Sequence, residues 1–466
     1  MAGTSKRSVT EQLAEWVVNV DAADIPAVGV ERVRNLVLDS IGNQFAGMAA
    51  STGRLLSQWV RAQGGADVCT VTAQDYKTTP AFATLVNGAA SHALENDDIA
   101  TFSSHPNSPL TASTLALGEQ LNATGHDFVV AWMIGWEVTA QTMKVCLGPR
   151  GNELINRGWF NQGFQETLGV AALGSRLLQL DVDQTRMALG NAASAMAGMM
   201  KNRGTDTKGF SAGSAAMHGV IAAELAATGF TADRNILDGD IGVARLLGLE
   251  NGDPETMLDG LGSWDLATRG STIRLHACCG AAHWSMDAMQ QILRRRRLAP
   301  EEIESIDVEI PDFLTDMMPI HTPTTGLEAK YSLEYDVATI ALYGRAGIHQ
   351  YTDYAVARPA ARELMQRVNT IPVPVTGPLQ SRVVVTLKDG EQIEETASRS
   401  HGNPADPLTQ AEIIEKFHEC AEQLASEAQR DRIVDLCGRL ELLDNIGELA
   451  GAIGAEHVKV STAHGV

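Results

Sequence analysis

From Val9 to about Leu261, apolar residues recur at the spacing that lines up one face of an α-helix, as in EQLAEWVVNV, VERVRNLVLDSIGNQFAGMAA, PLTASTLALGEQL and DFVVAWMIGWEVTAQTM. Strand-like alternation is scarce there. Several of these segments are rich in Ala and Gly (GNAASAMAGMM, GSAAMHGVIAAELAA), which lets helix backbones approach closely and predicts a dense bundle. Near Arg269 the texture changes. IESIDVEIP sends Ile306, Val308 and Ile310 to one face, and RVVVTLKDGEQIEETA holds a Lys388-Asp389-Gly390 turn between two alternating runs, the pattern of a β-hairpin. Helical patterns at 280–297, 332–343 and 358–368 sit among these strands. After Pro404 and Pro407, LTQAEIIEKFHECAEQL returns to helical periodicity, with Thr409 and Glu412 placed for a capping box. The pattern predicts a mainly α protein: a large all-helical domain over 1–268, a smaller α+β domain over 269–403, and C-terminal helices over 404–466 that rejoin the first.

Composition narrows the partners. The 466 residues are 44% hydrophobic and 20% charged, with a formal net charge of -21. That field opposes nucleic acid and anionic membranes, which need a surplus of cations on one face. The basic run Arg294 to Arg297 closes a helical pattern, where cations suit the negative end of the dipole. No secretory leader pattern and no long apolar span occurs, so a cytoplasmic protein is expected. The six cysteines show neither CxxC pairs nor a regular framework, which predicts buried thiols rather than disulfides or structural zinc.

Candidate chemistry is concentrated in a few segments. GFSAG, residues 209–213, matches the G-x-S-x-G elbow and nominates Ser211 as a hydrolase nucleophile, but the preceding KNRGTDTK is too polar for the buried strand an elbow requires. The same segment places Lys208 just before a small-residue helix, a cation beside a helix N-terminus, suited to an anion. ENDDIATFSSHPNSP brings Glu95, Asp97, Asp98 and His105 into one loop. STIRLHACCGAAHWSMDAM offers Arg274, His276 and His283 around a cysteine pair, and EAKYSLEYDVATIALYG offers Lys330, Tyr331 and Tyr335. Core packing is the alternative reading of His283 and of the tyrosines. Together the groups suit an anionic substrate from which a proton is moved at an adjacent carbon.

These blocks, in this order, resemble the MmgE/PrpD family, whose members include 2-methylcitrate dehydratases, cis-aconitate decarboxylases and iminodisuccinate epimerases. The likeness runs through VLDSIGNQFAG, NGAASHALENDD, His105-Pro106, GTDTKGFSAGSAAMHG, CCGAAHWSMDA, KYSLEY and GNPADPLTQAEIIEKF. It implies a helical domain, an α+β lid, a homodimer, and a site in the cleft that works without metal or organic cofactor. It also implies His105, Lys208 and Tyr335 as catalytic residues. Glu95 replaces the first aspartate of the family's D-x-D-D pattern, followed by Asp97 and Asp98. Ile99 stands where a threonine usually follows. The histidine of the decarboxylases' RGxH segment falls at Phe160 or, with a one-residue slip, at Asn161. Arg274, His276 and Ala277 replace the lysine, tyrosine and proline of the K-x-Y-P-x-C block. The expected function is a cofactor-independent lyase or isomerase acting on a small di- or tricarboxylate, with Lys208 and Arg274 clamping the anion, His105 as base or acid, Tyr335 as partner donor, and Glu95, Asp97, Asp98 and His276 lining the substrate. The alternatives are a carboxylate-binding protein without turnover and the Ser211 hydrolase.

Overall fold

The helical periodicities fold as helices in the computed structural model, which describes residues 7–102, 104–146, 153–248, 252–377 and 379–456. The outer ends of the first and last predicted segments, 1–6 and 457–466, fall outside the described residues. Helices α1 (Ala27–Ala49), α2 (Pro80–His92), α3 (Asn107–Leu121), α4 (Gly125–Cys146), α5 (Gln162–Leu177) and α6 (Asp206–Ala227) build the first core. Helix α4 is apolar almost all round and buried along nearly its whole length, with Trp132 stacked on Trp136 at 5.3 Å. The protein is mainly α, with a smaller α+β part.

One helix crossing sets two functional side chains next to each other. A Cβ on Gly213 of α6 would lie 2.2 Å from the Leu85 carbonyl oxygen and 2.8 Å from the Ala89 nitrogen of α2. One on Gly88 would lie 3.2 Å from the Gly213 Cα. The two helices therefore meet backbone to backbone, and their small residues are what permits it. Gly209 approaches Ala93 while Gly213 approaches Leu85, so the pair runs antiparallel. His92 at the end of α2 is thereby set beside the first turn of α6, which contains Lys208.

Strand β1 (Asp98–Ala100) pairs antiparallel with β2 (Ser271–Ile273), Asp98 opposite Ile273 and Ala100 opposite Ser271. Immediately beyond β2 begins the second core, whose buried apolar residues run from Ala277 to Ala397. Its sheet holds β3 (Ile303–Pro311), β4 (Val368–Val373), β5 (Ser381–Leu387) and β6 (Gln392–Ala397) in the order β4-β3-β5-β6. The β3–β4 pair is parallel and the others are antiparallel. Ile306, Val308 and Ile310 are buried as the alternation predicts, and the Lys388-Asp389-Gly390 turn joins β5 to β6. Helices α7 (His283–Arg295) and α8 (Leu333–Tyr343) pack on this sheet. The helical pattern expected over 358–368 is shorter than predicted: the helix is Pro359–Met365, and Val368 already begins the edge strand β4. Pro372 fits there because an edge strand has one unpaired side.

Helix α9 (Gln410–Ala421) opens on the predicted Thr409–Glu412 capping box. Its Ile413 and Phe417 join the first core, and Phe417 packs against Gly42 of α1. All six cysteines are buried free thiols. No helix among the described residues is long and apolar enough to cross a membrane.

Gly213→Ala tests the crossing. The added methyl has no room without moving the α2 backbone, and overpacking of this kind costs about 1–3 kcal/mol. Urea unfolding should show that loss, whereas wild-type stability in the variant would mean the helices are not in backbone contact.

Candidate active site

The turn between α2 and β1 carries the first functional groups. Glu95 has φ 52°, a left-handed conformation that a residue with a side chain adopts at a cost of about 1–2 kcal/mol unless its surroundings impose it. Its carboxylate is the reason the turn is useful. Oε1 accepts from the Lys208 ammonium and from the Tyr331 hydroxyl at 2.9 Å, and Oε2 accepts from Arg274 at 3.1 Å. Although burial opposes ionisation, Lys208 and Arg274 hold the Glu95 carboxyl well below its ordinary pKa.

Asp97 sits behind it. Its Oδ2 accepts from His92 Nδ1–H at 2.7 Å and from the Ser108 hydroxyl at 2.8 Å, while Oδ1 accepts from Arg274. The strand register explains the last contact: with Asp98 opposite Ile273, the next residues out are Asp97 and Arg274. Burial again opposes the charge, but His92 and Arg274 keep Asp97 well below the usual carboxylate range. His92 then presents Nε2 as an acceptor to Lys208 Nζ at 2.8 Å, so Lys208, His92 and Asp97 form one hydrogen-bonded line. Burial lowers the His92 pKa, and the neutral ring suits that position.

His105 is held differently. Its Nδ1 bonds to the Asp98 backbone oxygen, which can only accept, so Nδ1 carries the proton and Nε2 keeps a lone pair. Its ring lies 5.1 Å from that of His92, and it is the partly exposed member of the group. Burial, then the Arg274 charge, pushes its pKa down to about 3. The group is a neutral base at ordinary pH.

Of the residues expected from sequence, Glu95, Asp97, His105, Lys208 and Arg274 meet here. Arg274, however, is 0% exposed, and its guanidinium is engaged by Asp97, Glu95 and the Cys278 oxygen. It braces the carboxylates and has no face turned to a ligand. Asp98 takes part through its backbone; its side chain accepts from the Asn107 N–H and the Ser271 hydroxyl, and burial raises its pKa well above the usual value. His276 instead bonds Asp287 of α7 at 3.1 Å and packs edge-on against His283. Tyr335 is not brought to the cluster. Its place in the first turn of α8 turns it into the second core, where its hydroxyl donates to the Gln350 oxygen at 2.6 Å. Tyr331, before the Ser332 cap, is the phenol that reaches Glu95, and burial keeps it protonated. Ser211 lies inside α6 with its hydroxyl on the Thr207 oxygen, so no nucleophile elbow exists at GFSAG. Phe160 stands 6.0 Å from the His92 ring, with the Lys208 ammonium 5.5 Å above its centroid.

The chain matches the MmgE/PrpD N-terminal domain over residues 11–254 and the MmgE/PrpD C-terminal domain over residues 276–440. The chain belongs to the MmgE/PrpD family. It is 27% identical to a cis-aconitate decarboxylase of Homo sapiens over 95% of this chain and 94% of the relative. It is 25% identical to a cis-aconitate decarboxylase-like protein of Aspergillus oryzae over 97% and 98% of the two chains. As an MmgE/PrpD protein with these relatives, it is an enzyme of the lyase type.

Sequence reasoning overlooked His92 and Glu166. His92 stands in SHALENDD, three and five residues before Glu95 and Asp97, a spacing that reads as the unremarked end of a helix. Glu166 is one polar letter within α5, and only packing shows it against the His105 loop. His92, Asp97 and His105 each offer a ligand atom within 4.8 Å of one another. A divalent ion would compete there with the protein's own cations, since Lys208 faces the free lone pair of His92 and Arg274 faces Asp97. The donor set fits ammonium and guanidinium better than a metal.

Diethyl pyrocarbonate acylates only the neutral imidazole, so the depressed pKa of His105 has a measurable consequence. Between pH 7.5 and 5.5 an ordinary histidine, with a pKa near ~6.5, loses about tenfold in reactivity. The His105 peptide, followed by mass spectrometry, should change less than about twofold. A tenfold decline at His105 would contradict a base that is neutral across this range. Arg274→Met leaves Asp97 and Glu95 without their shared cation and should cost about 3–5 kcal/mol in urea unfolding; a loss below about 1 kcal/mol would mean that Arg274 does not brace them.

Proposed function

We propose that this MmgE/PrpD enzyme moves a proton at the carbon next to a carboxylate of a small di- or tricarboxylic acid, as a lyase or an epimerase, without a cofactor. The observation that carries the reading is the tautomer of His105: Nδ1–H is committed to the Asp98 oxygen, which leaves Nε2 of this partly exposed residue unprotonated, in a cluster where Glu95 gathers an ammonium and a phenol. His105 takes the proton from the substrate C–H. The charge that develops on the enolate-like product of that step is stabilised by the Lys208 ammonium, which is oriented by Glu95 and His92. Tyr331, contributed by the other core, supplies a proton to complete epimerisation or to assist a leaving hydroxyl. Replacement of a carboxylate by a proton would use the same groups in sequence.

The named relatives support a carboxylate substrate, two of them being a cis-aconitate decarboxylase and a cis-aconitate decarboxylase-like protein. Neither Phe160, whose ring lies 6.0 Å from that of His92, nor Asn161 carries a titratable group, and the resemblance puts the decarboxylases' histidine at one of these two positions, which favours the non-decarboxylating outcomes. The enzyme is proposed to work as a homodimer in the cytoplasm.

Proton NMR in deuterated water with citrate, aconitate, methylcitrate and iminodisuccinate compounds tests the proposal. Exchange or conversion at one C–H is expected, and His105→Ala should slow it by about 10²- to 10⁴-fold. Tyr331→Phe should slow it more than Tyr335→Phe, whose lost hydrogen bond lies within the second core. Saturable binding of these acids with no exchange or turnover would point instead to a carboxylate-binding protein.

A further inference from the structure

Glu166 is fully buried on α5 and takes no part in the proposed proton transfer. One of its oxygens, Oε1, accepts from the Ser104 hydroxyl at 2.6 Å and from the His105 backbone N–H at 3.3 Å. The other, Oε2, has no hydrogen-bond partner among the described residues. A carboxyl in such a place is costly, because desolvation of an unpaired polar atom outweighs the modest net gain of its hydrogen bonds. A hydrophobic residue would pack there without that cost. The expense is localised on Ser104 and on His105, the first residue of the His-Pro pair.

We propose that Glu166 is a positioning residue that fixes the His105 imidazole by holding Ser104 and the His105 amide. The inference rests on the assignment of His105 as the base. Three constraints then act on that residue: Glu166 on its N–H, the Asp98 oxygen on its Nδ1–H, and Pro106, which confines the preceding residue to extended backbone. Without Glu166 the Ser104–His105 backbone is released on one side, and the hydrogen bond on the His105 N–H is lost while that on its Nδ1–H stays. A shift of about 1 Å in a reacting group is enough to reduce turnover about 10²-fold.

The state of the carboxyl supplies a discriminating variant. Burial pushes the Glu166 pKa well above the carboxylate range, against the lowering effect of the Ser104 hydrogen bond, so a neutral amide of the same shape is a close substitute. Glu166→Gln keeps an oxygen for Ser104 and for the His105 N–H. Glu166→Ala removes both.

Steady-state kinetics of wild type, Glu166→Gln, Glu166→Ala and Ser104→Ala, on whichever acid the wild type exchanges or converts, tests this. Glu166→Ala should lose about 10²-fold in kcat with KM within about threefold, and Glu166→Gln should recover all but about threefold of the loss. Ser104→Ala, which leaves Glu166 in place on the His105 N–H, should lie between them. Full turnover in Glu166→Ala, or Glu166→Gln as impaired as Glu166→Ala, would overturn the proposal. Diethyl pyrocarbonate labelling of His105 provides a readout that needs no substrate. Its rate should change at least fivefold in Glu166→Ala and less than twofold in Glu166→Gln; equal rates in all variants would overturn the positioning role. Should wild type turn over none of the acids, the proton-transfer reading fails and the labelling still decides the role of Glu166.

Discussion

Four buried or half-buried carbonyls, in the turn after α2 and at the first residue of β1, govern the organisation of this protein. The Leu94 oxygen accepts from Lys330 at 2.6 Å, the Asn96 oxygen from Lys416 at 2.5 Å, the Asp97 oxygen from Arg274 at 2.8 Å, and the Asp98 oxygen from His105. A buried carbonyl has to be paired, and here the helix has ended and only a short strand has begun. Side chains from distant segments therefore do what secondary structure does elsewhere. Lys330 comes from the second core and Arg274 directly follows strand β2, which leads into it, while Lys416 comes from α9. The left-handed Glu95 at the centre of the turn is held by this set rather than by its own preference.

This arrangement joins folding to chemistry. Lys330 also donates to the Ala277 oxygen at 2.6 Å, so one ammonium ties the turn to the start of the second core. Lys416 donates to Asp39 of α1 as well, which binds α9 to the N-terminal part of the chain. The site is complete only when all these segments are docked. Its charges are balanced locally: Arg274 and Lys208 face Glu95 and Asp97, and both carboxylates stay ionised. In a chain with net charge -21, that balance allows an anion to approach the Lys208 side of the cluster.

How much of this was legible depends on whether the decisive contact was local. Helical periodicity identified the N-terminal half, and alternation identified β3 and the β5–β6 hairpin, because burial of one face follows directly from spacing. The edge strand β4 was hidden by Pro372 and by a neighbouring helix. Glu95, Asp97, Lys208, Arg274 and His105 stood out as unusual residues in small-residue surroundings. Tyr331 and Tyr335 are a helical turn apart in sequence, and only the Ser332 cap decides which of them faces Glu95 and which enters the second core. Arg274 looked like an anion clamp because its charge is visible in the sequence, whereas its complete burial is not.

The tautomer of His105 tests the central claim most directly. Nitrogen-15 NMR of histidine-labelled protein, with His105 assigned by its loss in His105→Asn, reports separately on the two ring nitrogens. A protonated Nδ1 and an unprotonated Nε2 should persist from pH 8 to below pH 5, in keeping with a pKa pushed down to about 3. An Nε2–H tautomer, or an imidazolium already formed near pH 6, would contradict the account.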